Sequence, residues 1–99
     1  MEGKKFDGDK PRWSLIPPGV MAEYVDVLEY GARKYAPGNW QYVPHATTRY
    51  YDAMMRHIDA WLHGESVDPE TGSSHLAHAM CCITFLMWLE QNGNRGEQE

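Results

Sequence analysis

Apolar residues recur at helical spacing in three segments of this chain. The first segment carries them at Val20, Met21, Tyr24, Val25, Leu28 and Ala32, and the second, from about Arg49 to His63, at Tyr51, Met55, Ile58 and Leu62. The third segment, from about His75 to Gln91, is apolar on nearly every side between Ala79 and Leu89. Such a helix is buried from most directions, which in a short chain favours packing against a second subunit. The pattern predicts a small all-α bundle of three main helices, completed by oligomerisation.

Turn-forming and capping residues mark the ends of these helices. Pro37 and Gly38 end the first, Thr47 or Thr48 caps the second, Gly64 ends it, and Ser73 or Ser74 caps the third. The chain has 99 residues, which is one small domain. We expect an irregular arm over 1–14, the helical domain over 15–91 and a flexible tail over 92–99.

Charge and cysteine content narrow the functional classes. The net charge of −5 argues against a protein that binds nucleic acid polymers through a basic face. The adjacent Cys81 and Cys82 point about 100° apart on a helix, which makes a disulfide between them unfavourable and indicates a reducing compartment. No signal peptide is apparent, and the apolar run is too short to span a membrane. We therefore expect a cytoplasmic protein without a membrane partner, in the host cytoplasm if a phage encodes it.

The stretch from Arg56 to His78 concentrates groups that can hold metal. Glu65, Asp68 and Glu70 fall in the turn between the second and third helices, and His75 and His78 share a face of the third helix. Carboxylates combined with imidazoles suit Mg²⁺, Mn²⁺ or Zn²⁺. His57 lies at the edge of an apolar stripe, where a histidine is either a structural group or a functional one.

Further candidates lie in the loops and the arm. Lys34 can meet phosphate, Asn39 can hydrogen-bond a base or sugar, and Trp40 can stack on a base, although a helix cap with a packed Trp explains this loop equally well. The arm carries Lys10, Arg12 and Trp13. Residue types alone favour a solvated arm that packs Trp13 on the body; the alternative is an arm that folds over a nucleotide. Glu23 and Asp26 can share a metal or form a solvated face.

Three blocks of sequence resemble one known family. They are GDKPRWSLIP, EYGARKYAPGNW and RHIDAWLHGESVDPETGSSHLAHA, and together they cover roughly residues 8–90. They resemble the small, largely phage-encoded dATP/dGTP diphosphohydrolases, which are distant relatives of the MazG-like all-α nucleoside triphosphate pyrophosphohydrolases. The resemblance implies an oligomeric, metal-dependent enzyme that converts a purine deoxynucleoside triphosphate to the monophosphate and pyrophosphate. The similar MazZ subgroup acts on dGTP.

The chain departs from the MazG-like pattern in its acidic residues. It has no Glu-Glu-x-x-Glu cluster, and His75-x-x-His78 stands at the spacing of the usual Glu-x-x-Asp motif. Taken with the resemblance, the expected metal ligands are Glu65, Asp68, His75 and His78, which bind Mg²⁺ or Mn²⁺, with two or more ions allowed. Glu65, Asp68 and His57 are the expected catalytic residues, and Asp59, Glu23 and Glu29 are substitutes. Substrate binding is expected from Lys10, Arg12, Lys34, Asn39, Trp40 and Arg56.

Two other functions are compatible with the same residues. His75, His78 and one of the two cysteines have a spacing suited to part of a Zn²⁺ site, which would make the chain a zinc-stabilised binding module without catalysis. The aromatic residues can instead form an interface in a helical partner-binding protein.

Overall fold

The computed structural model describes residues 1–97, which contain three α-helices and confirm the all-α prediction. Helix α1 spans Val20–Lys34, α2 spans Ala46–Leu62 and α3 spans His75–Asn92. Short 3-10 turns at Trp13–Leu15, Asn39–Tyr42 and Arg95–Glu97 lie before, between and after them. Within the described residues, no helix combines the length and the apolar character needed to cross a bilayer.

Helix α3 packs against both other helices. Its residues Ala77 and Cys81 pack with Val27 of α1 into a small core, which Tyr24, Leu28 and Phe85 surround. The Tyr24 hydroxyl lies 2.8 Å from the Thr84 hydroxyl, and the Cys81 thiol donates to the Tyr24 carbonyl. Helix α2 runs antiparallel to α3, because Tyr50 meets Phe85 and His57 meets His75. The predicted stripe of α1 is therefore only partly right: Tyr24 and Leu28 pack on the core, but Val20, Met21 and Val25 are exposed. The buried residue of this helix is Val27, which the prediction did not include.

The start of α2 differs from the prediction. The helix begins at Ala46, three residues before the expected Arg49, and neither Thr47 nor Thr48 caps it. His45 occupies the N-cap position with a φ of 54° and makes no side-chain cap bond. Ala46 is fully buried, and the His45 backbone N–H donates to the Glu97 carboxylate. Tertiary contacts therefore fix this helix start, and local capping signals do not reveal them.

The apolar stripe predicted for α2 faces outward. Tyr51, Met55 and Leu62 are between 43% and 70% exposed, because the side of α2 that meets α3 carries Tyr50 and His57. Leu76, Ile83 and Met87 of α3 are also exposed, and Ile83 lies about 200° round that helix from Cys81. We call these six residues the outer apolar face. Met55 lies about 140° round α2 from Tyr50, which meets α3, so both stripes point away from the sides by which their helices pack.

The chain ends differ in how they meet the helices. After α3, Asn94 donates to the Val43 carbonyl, and the Cα of Gly96 lies so close to the Tyr42 carbonyl that a Cβ there would overlap it. The flexibility predicted for this tail stays a prediction, and Gln98 and Glu99 lie outside the described residues. The N-terminal arm is exposed throughout, and Trp13 is 79% exposed, so the expectation that it packs on the body is wrong. The radius of gyration is 16.8 Å, against roughly 13 Å for a compact chain of this length.

Ser74 caps α3, as predicted, and this cap yields a stability test. Its side-chain oxygen accepts hydrogen bonds from the backbone N–H groups of Leu76 and Ala77. We expect Ser74→Ala to lower the free energy of unfolding by about 1 kcal/mol, since the two N–H groups lose their partner. Urea denaturation measures this. Ser73→Ala is the matched control and should change stability by less than about 0.5 kcal/mol; equal losses in both variants would contradict the assignment.

Candidate active site

A cavity of about 550 Å³ opens between α1, the loop that follows it, α2 and α3. Its walls combine cationic, aromatic and metal-compatible side chains, among them Tyr30, Lys34, Tyr35, Asn39, Trp40, Tyr50, Arg56, His57, Asp68, Glu70, Thr71 and His78. A second cavity of about 660 Å³ adjoins it and shares Tyr35, Asn39, Tyr50, Ala53 and Arg56. Together they form one groove, and each cavity alone is in the volume range of small-molecule sites.

The structure gathers most of the predicted site residues at this cavity, but not all of them. Lys34, Asn39, Trp40, Arg56, His57, Asp68 and His78 line it. His75 does not line the cavity but contacts His57, which does, and Glu65 contacts the other ring nitrogen of His75. Lys10 and Arg12 sit on the exposed arm and do not line the cavity, so their role in substrate binding stays a prediction. The proposed substitutes Glu23, Glu29 and Asp59 are exposed and do not line it either.

The first of two hydrogen-bonded chains runs from Glu65 through His75 to His57. The Glu65 carboxylate lies 2.7 Å from His75 Nε2, and His75 Nδ1 lies 2.8 Å from His57 Nδ1. His75 is only 4% exposed, and both of its ring nitrogens have partners. If Glu65 is ionised and His75 is neutral, Glu65 accepts from His75 Nε2–H, so His75 Nδ1 accepts from His57 Nδ1–H. This pattern leaves the lone pair of His57 on Nε2.

The second chain links Asp68, Thr71 and His78. The Thr71 hydroxyl donates to Asp68 Oδ2 at 3.2 Å and lies 2.8 Å from His78 Nε2. The turn holds these groups in place, because Asp68 Oδ1 accepts from the Glu70 backbone N–H and Gly72 N–H donates to the Asp68 carbonyl. Gly72 has a φ of 74°, which this turn requires and which glycine adopts without strain.

The two chains meet where His57 stacks on His78. The ring centroids are 4.4 Å apart and the planes differ by 6°. Burial lowers the pKa of His57, and the neighbouring His78 and His75 lower it further. Burial also lowers the pKa of His78, although Asp68 acts in the opposite direction. Both imidazoles are therefore neutral near pH 7, and each offers one unprotonated nitrogen.

Two cationic side chains and one further acidic side chain also line the cavity. Lys34 donates to Glu70 at 3.3 Å, and this bond raises the pKa of Lys34. The Lys34 ammonium also lies 5.4 Å from the Tyr35 ring centre. Arg56 is exposed on α2 and faces both cavities. These are the charges a polyphosphate would meet.

Aromatic rings form the remaining wall. Trp40 stacks on Phe85 with centroids 4.6 Å apart, and Trp88 meets it edge-on at 5.0 Å. The alternative of a packed Trp in this loop is therefore right, and the base-stacking role of Trp40 stays a prediction. A base that stacks on Trp40 must use ring surface that Phe85 leaves free.

The side chains that could bind a metal ion are arranged as pairs, each of one histidine and one carboxylate. In residues 1–97, no group of three or more His, Cys, Asp and Glu side chains could hold one ion. The four predicted ligands form two pairs, Glu65 with His75 and Asp68 with His78. Mg²⁺ is commonly bound by one or two carboxylates together with substrate phosphates and water. Asp68 and Glu70 line the cavity and suit that mode, whereas the ligand role of Glu65 and His75 stays a prediction.

Sequence reasoning did not single out two residues of the wall. Thr71 bridges Asp68 and His78, and Tyr50 lines both cavities. Glu70 was named as a metal-compatible acid, but its pairing with Lys34 was not predicted. The Asp-Pro-Glu-Thr-Gly turn was recognised as acidic, and its Asx-type geometry could have pointed to Thr71. No local pattern indicates Tyr50, because its position follows from the packing of α2 on α3.

The histidine pair gives stability a defined pH dependence. Because folding lowers the pKa of His57 and His78, the unfolded chain binds protons first as the pH falls. The stability that comes from keeping these two imidazoles neutral is fully present above about pH 6.5, the ordinary imidazole pKa. It is lost as the pH drops through the lowered pKa values of the folded protein. Urea denaturation from about pH 7.5 down to about pH 5 should show the decline.

Two variants separate this pair from other titrating groups. A His57→Gln/His78→Gln double variant should show a shallower decline than the unmodified protein. His63→Gln, at an exposed histidine beside Asp59, should leave the decline unchanged. An equally steep decline in the double variant would show that other groups cause it.

Comparison with known proteins shows the family to which this chain belongs. The family model described as dATP/dGTP diphosphohydrolase, N-terminal, matches residues 1–99. A dATP/dGTP diphosphohydrolase of Salmonella phage PMBT28 is 39% identical over 92 residues, which are 93% of this chain. The chain spans 31% of the length of that relative. No solved structure matches the chain. The protein therefore belongs to the dATP/dGTP diphosphohydrolase, N-terminal, family.

Proposed function

We propose that this protein binds a purine deoxynucleoside triphosphate, dGTP or dATP, and hydrolyses it to the monophosphate and pyrophosphate. The observation that carries the proposal is the 550 Å³ cavity, which combines polyphosphate-compatible cations, aromatic rings and two histidine–carboxylate chains. Family membership supports it, as does the name of the phage relative, which is a dATP/dGTP diphosphohydrolase.

The groove offers separate surfaces for the parts of a nucleotide. Lys34 and Arg56 neutralise phosphate charge through charge-assisted hydrogen bonds. Trp40 and Asn39 contact the base and sugar, the first by stacking and the second by hydrogen bonding. Lys10 and Arg12 join them if the arm folds over the bound nucleotide.

Asp68 and Glu70, with His78 beside Asp68, would hold a Mg²⁺ or Mn²⁺ ion together with the triphosphate. When bound, the ion polarises the phosphate and lowers the pKa of a coordinated water. Within the chain, the Thr71 hydroxyl and the Glu70 N–H fix the Asp68 carboxylate before any ligand arrives. Because the carboxylate is already oriented, binding requires less rearrangement of the site.

His57 is the general base for the attacking water. Its Nε2 lone pair is free because Nδ1–H is bonded to His75, and its lowered pKa keeps the ring neutral. When His57 takes a proton, the Glu65 carboxylate stabilises the new charge through His75. The oxygen of the water then attacks the α-phosphorus, and pyrophosphate leaves.

A protein nucleophile is not needed, and the cysteines are poorly suited to be one. Burial raises the pKa of Cys81 to about 12 and that of Cys82 to about 11, so both thiols stay protonated. The same property disfavours the zinc-stabilised module, because zinc binds the thiolate. The free thiols fit a reducing compartment such as the cytoplasm.

The outer apolar face supports assembly into a homo-oligomer, a dimer or a tetramer. It carries six large apolar residues of α2 and α3, and contiguous exposed patches of this kind mark interaction sites. We take a second copy of the chain to cover it, since the small core within one copy leaves α3 open on that side.

Product analysis tests the reaction. We expect pyrophosphate, and no orthophosphate, from dGTP or dATP in the presence of Mg²⁺ or Mn²⁺, and none in EDTA. A panel of deoxyribonucleotides and ribonucleotides, assayed with coupled detection of both products, makes the measurement. Absence of turnover with every nucleotide and either metal would overturn the proposed function.

Asp68→Asn should reduce kcat by at least about 100-fold, because the proposal gives this carboxylate the main part in holding the ion. Glu65→Gln should also lower kcat, through the positioning of His75. The far-ultraviolet circular dichroism of both variants should match the unmodified protein. Glu23→Gln, on the exposed side of α1, is the control and should keep full activity. Full activity in both Asp68→Asn and Glu65→Gln would contradict these roles.

Sedimentation velocity tests the assembly. The unmodified chain should sediment as an oligomer, and Met55→Glu should shift it toward the monomer, because a charge in a buried apolar interface is costly. Ala22→Glu adds the same side chain on the exposed side of α1 and should leave the sedimentation unchanged. A monomeric unmodified chain would show that a different partner covers the outer apolar face.

A further inference from the structure

Thr71 lies between Asp68 and His78 and makes three polar contacts with one oxygen. Its Oγ1 is 3.2 Å from Asp68 Oδ2, 2.8 Å from His78 Nε2 and 3.2 Å from the Ser73 backbone nitrogen. The side chain is half-buried at the cavity wall. Each contact is short enough for a hydrogen bond, so the oxygen is fully used.

Counting protons gives each contact a direction. A hydroxyl has one proton to donate and two lone pairs to accept with. The Ser73 N–H can only donate, which uses one lone pair. The ionised Asp68 carboxylate can only accept, which uses the proton. The remaining lone pair faces His78 Nε2, so that nitrogen must carry a hydrogen and donate it.

The opposite arrangement is less favourable. If Thr71 donated to His78 Nε2, its lone pairs would face the Asp68 carboxylate at 3.2 Å with no hydrogen between them. Asp68 Oδ2 is also 3.5 Å from His78 Nε2, and a bare ring nitrogen there would repel it as well. A hydrogen on Nε2 removes both repulsions.

We propose that Thr71 is a positioning residue that holds His78 as the Nε2–H tautomer and so leaves its Nδ1 as the unprotonated nitrogen. The consequence for catalysis rests on the proposed function. There, a water, a phosphate-bound ion or a substrate N–H can bind His78 only at Nδ1. His57 is held by the reverse pattern, bonded through Nδ1 and free at Nε2. The two stacked rings line one cavity and are unprotonated at different nitrogens.

Nitrogen-15 NMR of the histidine side chains tests the tautomer directly. In two-dimensional spectra at about pH 8, above the ordinary imidazole pKa of roughly 6.5, the N–H nitrogen and the unprotonated nitrogen have well-separated shifts. His78→Gln identifies the signals. The unmodified protein, in metal-free buffer, should show His78 protonated at Nε2. A His78 ring protonated at Nδ1 would overturn the proposal without any variant being made.

Two substitutions at Thr71 then isolate the hydroxyl. Thr71→Val has nearly the same shape and no hydroxyl, and it should give a mixture of His78 tautomers, whereas Thr71→Ser should keep one. Thr48→Val, at an exposed position on α2, is the matched control and should change nothing. If His78 in Thr71→Val keeps the tautomer of the unmodified protein, Thr71 does not fix it.

Kinetics connect the tautomer to the reaction. We expect Thr71→Val to lower kcat about tenfold or more with little change in KM, as for loss of a side chain that orients a functional group, and Thr71→Ser to recover most of it. Equal kcat in Thr71→Val and the unmodified protein would limit the role to structure. Because the NMR result does not depend on turnover, an inactive unmodified protein would count against the proposed function alone.

Discussion

The buried imidazole of His75 is the constraint on which the rest of the site depends. A polar ring that is removed from water is destabilising unless both nitrogens find partners, and here Glu65 and His57 are those partners. The first belongs to the turn and the second to α2, while His75 itself begins α3. One satisfied ring therefore fixes the relative position of all three. The direction of its hydrogen bonds also decides which nitrogen of His57 is free.

The turn over residues 65–74 adds a second constraint of the same kind. Asp68 N–H bonds to the Ser73 carbonyl, and His75 N–H bonds to the Ser66 carbonyl, so the turn closes on the start of α3. The carboxylate of Asp68 is oriented within this turn rather than by distant packing. Local backbone geometry thus places the Asp68 carboxylate beside the His78 imidazole, and of the two only His78 depends on the packing of the helices.

How far the sequence predicted this arrangement depends on the range of the interactions involved. Helix α3 and the Ser74 cap follow from spacing within one segment, and they were predictable. The stacking of His57 on His78 joins two helices, so spacing within one helix does not give it. The start of α2 was not, because His45 and Ala46 take their positions from residues near the far end of the chain. The outward direction of Met55 was also missed, since an apolar stripe shows that a helix has a buried face but does not name the neighbour that buries it. Thr71 was overlooked because its partners are fixed by a folded turn.

Helix α3 has consequences for how this protein can change over time. One of its sides meets α1, a second meets α2, and the third carries Ile83 and Met87 of the outer apolar face. Between His75 and Leu89, a charged residue on any of these sides would be destabilising, so substitutions there should be rarer than in α1. The charged Glu90 lies beyond this stretch and is exposed. The same helix begins with His75 and His78. Substitutions that preserve the core of this helix therefore also preserve the spacing of the two histidines, and sequence change is less costly in the exposed arm.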